Sequence, residues 1–329
     1  MTLSGKTRVA AVLGWPISHS LSPRLHNYWL KENRIDGVYI PLAVNPDNIA
    51  NVVKSLPQLG LTGVNLTVPH KEAAMMFVDG VDSLAKRVGA INTIVIAEDG
   101  SLEGRNTDVF GFKEALNQNT GTDIIRNGTA VVIGAGGASR AVIVALLDLG
   151  AREIRIVNRT SEKAELLAAS WGPILRPVLW EERNEALSGA SFLVNTTTLG
   201  MENMPPLDLT LDALPKNAIV NDIVYRPLLT PLLCAAKERG NSVVDGLWML
   251  LQQGRPGFAA WFGCDPAVTP KLREHVLEMH KAWAEKNVDQ SGSVWRLYGR
   301  RRRIRNPNLD KEYRLRKKAR LMYKPLPNS

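Results

Sequence analysis

Cysteine is scarce in this 329-residue chain: Cys234 and Cys264 are the only two, with no CxxC pair and no histidine at metal-ligand spacing. That excludes a disulfide framework and the common zinc motifs, and it reads as two reduced, buried thiols in a cytoplasmic protein without a metal site. Of the five histidines, His275 and His280 fall on different faces of one predicted helix and do not form a ligand pair. No apolar run approaches the ~20 residues that cross a bilayer, and the N-terminal stretch lacks a charged-then-apolar signal pattern, so no membrane partner is expected. Net charge is also missing from most of the chain. The formal charge is +9, yet from Ser291 onward there are 13 Lys+Arg against 2 Asp+Glu, which leaves 28 against 30 before it. The body is near neutral. The runs Arg300–Arg305 and Arg314–Arg320 read as a solvated, disordered tail, and no nucleic-acid partner is expected except through that tail, where Trp295, Tyr298, Tyr313 and Tyr323 are available to stack.

What the chain does have is glycine at a decisive place. Thr129 to Ile133 is a short β-branched run of the kind buried in parallel sheets. Gly134, Gly136 and Gly137 follow at once, and Ala138 to Leu149 carries apolar residues at helical spacing. Gly150 supplies a stop, and Glu153 to Val157 reads as a second buried strand. This predicts a strand–turn–helix–strand unit of about 30 residues whose glycines admit close approach of a dinucleotide pyrophosphate to free helix N–H groups. Ser139 stands where the fingerprint has its third Gly or Ala, so the flanking elements carry the assignment. At the end of the second strand, where an NAD site places Asp or Glu, the chain has Asn158-Arg159-Thr160, with Lys163 one turn on. A carboxylate there would repel a 2′-phosphate, whereas a guanidinium grips it in a fork. NADP is the expected cofactor.

Earlier in the chain, Arg8 to Gly14 reads as a strand opening onto a loop with Ser18 and Ser20, followed by Ser22 as a helix N-cap and Pro23 at the first helical position. Strands are expected at 37–44, 63–68 and 94–97, with Asp99-Gly100 as a type I′ hairpin signal. Lys71 falls at the start of a helical stretch, where a cation opposes the helix dipole. Asp108 is placed as the N-cap of a helix over 109–117, or as a member of a polar group at strand ends: Ser18, Ser20, Asn65, Thr67, Lys71, Asn92 and Asp108. In a parallel-type sheet such residues gather on one rim. Later strands are expected at 190–195, 218–223 and 242–244, with a helix from Thr230 or Pro231 to Gly240. A helix over 248–253 is followed by Arg255-Pro256-Gly257 and a further helical stretch, and an amphipathic helix runs from Pro270 to about Lys286.

Nine motifs in order, ISHSLSP, NLTVPHKE, GAINT, NTD, GAGGASRA, NRT, NTTTLGM, DIVYRP and GLWMLLQQ, resemble the shikimate dehydrogenase family over residues 8–285. The resemblance implies an α/β fold of two domains: an N-terminal substrate domain with a mostly parallel sheet, and a Rossmann-type NADP-binding domain, joined by a hinge the chain crosses twice. The substrate domain would span 1–108, completed by 246–290, the NADP domain 109–245, and the tail 291–329. It also implies that Ser18 and Ser20 hold a substrate carboxylate, and that Asn65, Thr67, Lys71, Asn92, Asp108, Tyr225 and Gln253 surround the ring hydroxyls. Lys71 and Asp108 would carry proton transfer. Gly134, Ala135, Gly136, Gly137, Ala138, Ser139 and Arg140 would cradle the pyrophosphate, while Asn158, Arg159, Thr160 and Lys163 would take the 2′-phosphate. Thr197, Ile223, Gly246 and Met249 would line the nicotinamide. The implied activity is reversible reduction of 3-dehydroshikimate by NADPH, in a monomer or homodimer, with a quinate/shikimate enzyme of broader scope as the alternative. Quinate-using relatives tend to carry Ser-x-Thr at the carboxylate loop, so Ser18-x-Ser20 points to shikimate. Two departures stand out: Trp248, where relatives often have Gly and which would narrow the cleft, and the basic tail.

Overall fold

A computed structural model describes residues 3–278 of the chain. In the first half the order is β1 (Arg8–Gly14), α1 (Ser22–Glu32), β2 (Gly37–Ala43), α2 (Ile49–Ser55), β3 (Leu61–Leu66), β4 (Gly80–Val81), α3 (Ser83–Val88), β5 (Thr93–Ile96) and β6 (Leu102–Arg105). These strands form one sheet in the order β2-β1-β3-β5-β6-β4. β1 runs parallel to both β2 and β3, and β4 runs parallel to β6. β5 is antiparallel to β3 and to β6, and the short hairpin from β5 to β6 can join only antiparallel strands. That hairpin is not the expected type I′ turn. Gly100 has φ +84° while Asp99 has no positive φ, the Gly100 N–H donates to the Ala97 carbonyl, and the Asp99 carboxylate accepts from the Ser101 N–H. This is a type I turn closed by a left-handed glycine.

α4 (Asp108–Asn119) leads to the second sheet. Its elements are β7 (Thr129–Ile133), α5 (Gly137–Asp148), β8 (Glu153–Val157), α6 (Ser161–Ala169), β9 (Leu175–Val178), β10 (Phe192–Asn195), β11 (Ile219–Asp222), α7 (Pro231–Glu238) and β12 (Ser242–Val244). The strand order β12-β11-β10-β7-β8-β9 is parallel throughout and reverses between β7 and β10. That is the doubly wound order, and its switch point lies between the C-terminal ends of β7 and β10.

Both sheets are covered on both faces, which is why β1 from Val9 to Leu13 and β7 from Ala130 to Ile133 are apolar without interruption. Ala10 and Val12 join one core cluster while Ala11 and Leu13 join another on the opposite face. Ala130 and Val132 divide from Val131 and Ile133 in the same way. The chain then returns through α8 (Gly246–Phe262), whose Leu247, Leu250, Leu251, Phe258 and Trp261 pack with α1 and β1 of the first lobe. Trp261 Nε1 donates to the Ile94 carbonyl at 3.1 Å. The two crossings, α4 and α8, touch at Gly111, where a Cβ would stand 2.6 Å from that of Gln253.

α8 runs unbroken through Pro256, contrary to the expected break after Gln253. A proline inside a helix costs about 3 kcal/mol. Five large buried side chains at about 1.5–3 kcal/mol each outweigh it. α1 differs by one residue: its N-cap is Leu21, and Ser20 Oγ accepts from the Ser22 N–H at 3.3 Å. Cys234 is exposed and Cys264 half-buried rather than buried, because α7 turns Leu232, Leu233 and Ala236 inward and leaves position 234 outside. No helix among the described residues is long and apolar enough to cross a membrane. Residues 270–278 are helical; the expected continuation to Lys286, His280 and the tail 291–329 lie outside the described residues.

Candidate active site

β3 ends at Leu66, and the chain turns through Thr67 and Pro69 to Lys71, half-buried at the sheet's C-terminal edge. Lys71 Nζ donates to Asp108 Oδ2 at 2.5 Å, with the lysine side chain 16% exposed and the aspartate 1%. Asp108 is therefore not the N-cap of α4. Thr107 occupies that position without a side-chain bond, and Asn106 Oδ1 accepts from the Asp108 and Val109 N–H groups instead. Capping by Asn106 frees the Asp108 carboxylate to hold Lys71 and to accept from Asn92 Nδ2 at 2.8 Å.

Asn92 extends the group. Its Oδ1 accepts from the Thr107 N–H at 2.8 Å, and Asn65 Nδ2 donates to the Asn92 carbonyl and to Thr93 Oγ1. Asn65 Oδ1 accepts from the Tyr39 hydroxyl at 2.6 Å, and burial pushes the Tyr39 phenol well above its ordinary pKa. The Tyr39, Thr93 and Thr107 members of this network carry no signal in the sequence beyond being polar residues in or beside strands.

Ser18 and Ser20 lie beside this rim at the end of β1. They line an open depression of about 270 Å³ with Trp15, Pro16, Ile17, Pro41 and Ala43; Lys71 and Asp108 are not part of its wall. The Trp15 N–H donates to the Val68 carbonyl at 3.1 Å, which joins the serine loop to the turn that carries Lys71. Thr67 is half-buried, with its methyl group against Gly14, and Gln253 is half-buried against α4. From the second lobe comes Tyr225, whose hydroxyl pKa burial raises despite Arg226 and a hydrogen bond with the Leu21 backbone; in the serine loop of the first lobe, His19 is pushed down by burial and by Arg226.

On the dinucleotide side, β7 ends in Gly134 at φ +113°, a left-handed conformation open to glycine, and a Cβ there would stand 2.5 Å from Thr196 Oγ1. Gly136 is the extended N-cap of α5, and a Cβ on it would meet nothing within 4 Å. The backbone there is bare, flanked by Ala135 and Ala138, and followed by the unpaired first N–H groups of a 12-residue helix. Ser139 is fully buried and donates to the Gly136 carbonyl at 2.6 Å, so its hydroxyl orders the loop from within. Arg140 packs against Gly89 at the end of α3, with its Nε buried and unpartnered.

At the end of β8, Asn158 Nδ2 donates to the Thr160 carbonyl at 2.7 Å, and Arg159, Thr160 and Lys163 are exposed there; residues 158–160 hold no carboxylate, and Glu162 follows in the first turn of α6. A bare glycine turn, a helix N-terminus and two cations at the neighbouring strand end together fit a phosphorylated dinucleotide. Further along the edge, Thr197 Oγ1 donates to Asn195 Oδ1, and Met249 is buried. Gly246 lies so close to the Ile223 carbonyl that a Cβ would collide with it. Trp248 is half-buried, and the Arg273 guanidinium lies 4.4 Å above its ring.

The two halves meet at Gly137. The position of its missing Cβ is 3.8 Å from the Lys71 Cβ and 3.5 Å from Glu72 Oε1, so the glycine turn of one lobe faces the Lys71–Asp108 pair of the other.

Comparisons with known proteins find one family. Residues 12–94 match the family model of the shikimate dehydrogenase substrate binding domain, and residues 116–201 that of shikimate / quinate 5-dehydrogenase. The chain is 56% identical over 275 residues to the NADP(+) shikimate dehydrogenase of Paramagnetospirillum magneticum, covering 84% of this chain and 100% of that one. It is 52% identical over 279 residues to that of Rhodospirillum rubrum, covering 84% and 99%. The crystal structure of Thermus thermophilus shikimate 5-dehydrogenase in complex with NADP(H) and shikimate is similar with a TM-score of 0.74 and 38% identity, over 83% of this chain and 99% of that one.

Proposed function

The chain belongs to the shikimate dehydrogenase family, and from that membership we propose that it interconverts shikimate and 3-dehydroshikimate with NADP, in the cytoplasm, on the chorismate route to aromatic amino acids. Among the described residues, those up to 108 together with 246–278 form the substrate-binding part and 109–245 the cofactor-binding part; the remainder of the expected 246–290 stretch lies outside them. The observation that carries the assignment is the Lys71–Asp108 pair held opposite the glycine turn at Gly137.

When bound, NADP supplies the two-electron chemistry of its nicotinamide. The chain's own groups bind, orient and move the proton. Ser18 and Ser20 present hydroxyls to the substrate carboxylate, and Asn65, Thr67, Asn92, Asp108, Tyr225 and Gln253 orient the ring hydroxyls. Lys71 is the more exposed member of the pair, so its Nζ gives the proton to the oxygen that becomes the hydroxyl, or takes it in the reverse direction. Asp108, buried and fixed by Asn92, aims the ammonium. Residues Gly134 to Arg140 receive the pyrophosphate; Asn158, Arg159, Thr160 and Lys163 receive the 2′-phosphate; Thr197, Ile223, Gly246 and Met249 wall the nicotinamide end.

Lys71→Ala tests the carrying observation. Steady-state kinetics should show kcat lowered by two decades or more, about 3 kcal/mol, with a smaller effect on KM for shikimate. Turnover within threefold of the wild type would remove Lys71 from the chemistry.

A further inference from the structure

Asn195 and Asp222 are the last residues of β10 and β11, and they stand side by side in the register of that parallel pair. Both are fully buried. Asp222 Oδ1 accepts from Asn195 Nδ2 and from the Val224 N–H, each at 3.0 Å, and Oδ2 accepts from Thr230 Oγ1 at 2.7 Å. Asn195 turns the rest of its amide to the neighbouring loop. Its Oδ1 accepts from the Thr197 N–H at 3.0 Å and the Thr197 hydroxyl at 2.7 Å, and its Nδ2 donates to the Leu199 carbonyl at 3.0 Å. The Leu199 N–H in turn donates to Thr197 Oγ1. Every polar atom of the two side chains is satisfied, and the four bonds of Asn195 admit one orientation of its amide.

We propose that Asp222 is a positioning residue of the oxidoreductase site, fixing through Asn195 and the Val224 N–H the two loops that bring Thr197 and Ile223 to the nicotinamide end. The proposal rests on the function assigned above. Among the described residues Asp222 has no cationic partner, and burial pushes its carboxyl up to about 6, so this anion is kept at a cost that an apolar pair of equal volume would avoid. Three hydrogen bonds, from the end of β10, the loop after β11 and the N-cap of α7, offset that cost. The edge they define is the switch-point crevice where ligands of open α/β sheets bind. Neither Asp222 nor Asn195 reaches the crevice itself. Their effect passes through the loops.

The test compares Asp222→Ala and Asp222→Asn with Leu187→Ala as the control for lost stability, because Leu187 is fully buried in the core of the same lobe with Val131, Leu193 and Val220. In the ligand-free Asp222→Ala protein, hydrogen exchange at the Thr197, Leu199 and Val224 amides should rise at least tenfold. Its KM for NADP should rise and its kcat fall, each by about tenfold, with KM for shikimate within twofold. Asp222→Asn keeps the acceptor facing Asn195 and Val224 and should return all three readouts to within threefold of wild type. Leu187→Ala should leave them unchanged. If Asp222→Ala does not fold, Asn195→Ser, which cuts the same link from the other side, should give the same pattern. Unchanged loop exchange, or kinetics in a folded Asp222→Ala or Asn195→Ser no worse than in Leu187→Ala, would overturn the proposal. Wild-type turnover with shikimate and NADP is measured alongside: its absence would defeat the assigned function, while loop exchange would still decide whether Asp222 holds the loops.

Discussion

His26 shows how burial alone sets a residue's chemistry. Its ring stacks on Tyr39 at 4.1 Å and lies among Trp29, Phe258 and Trp261, and its Nδ1 is buried without a partner. Burial lowers its pKa from 6.5 to about 3, so the native state holds it neutral. A depressed value means that its contribution is present above 6.5 and is lost as the pH falls, amounting to about 2 kcal/mol between pH 7 and pH 5. Asp222, raised from 3.8 to about 6, acts in the opposite sense and gains about 1 kcal/mol over the same interval. The histidine outweighs the aspartate. Urea unfolding of His26→Phe should therefore lose about 2 kcal/mol less than wild type between pH 7 and pH 5. Equal losses would show that the imidazole stays solvated or finds a partner.

At the scale of elements, the β7–α5–β8 unit is the part most legible in sequence, because two β-branched runs, a glycine turn and helical spacing all point the same way. The strand boundaries of that unit agree with the structure to the residue, and α5 is shifted by one. Elements whose local signal loses to tertiary contacts are not legible in this way. Pro256 signals a break that burial of α8 overrides, and Asp108 has the composition of an N-cap but gives that task to Asn106 and turns to Lys71, 37 positions away. Asn195 and Asp222 stand inside the motifs NTTTLGM and DIVYRP, yet nothing in those motifs says that the two side chains meet. The end of β8 yields a prediction of its own. Arg159→Ala should raise KM for NADP at least tenfold, about 1.4 kcal/mol, with KM for shikimate within twofold. An undiminished preference for NADP over NAD would contradict the role assigned to this strand end.

Across the described residues, the chain builds one lobe, crosses to a second through α4, and returns through α8, so that the Lys71–Asp108 pair of one sheet edge faces the glycine turn of the other. Gly111 lets the two crossing helices touch, and Gly137 lets the glycine turn approach Lys71. Replacing Gly111 by Val should hurt both lobes at once: a lower melting temperature together with a raised KM for both ligands, read by thermal unfolding and two-substrate kinetics, because the Cβ would stand 2.6 Å from that of Gln253. A variant with wild-type stability and an altered KM for one ligand alone would mean that the crossings do not couple the two edges. The measurement that bears most directly on the assigned activity is absorbance at the reduced-nicotinamide band with the wild-type chain, pairing shikimate or quinate with NADP or NAD. We expect shikimate with NADP to give a kcat/KM at least tenfold above any other pairing. Absence of NADP-dependent oxidation of shikimate, or a preference for NAD or quinate, would contradict it.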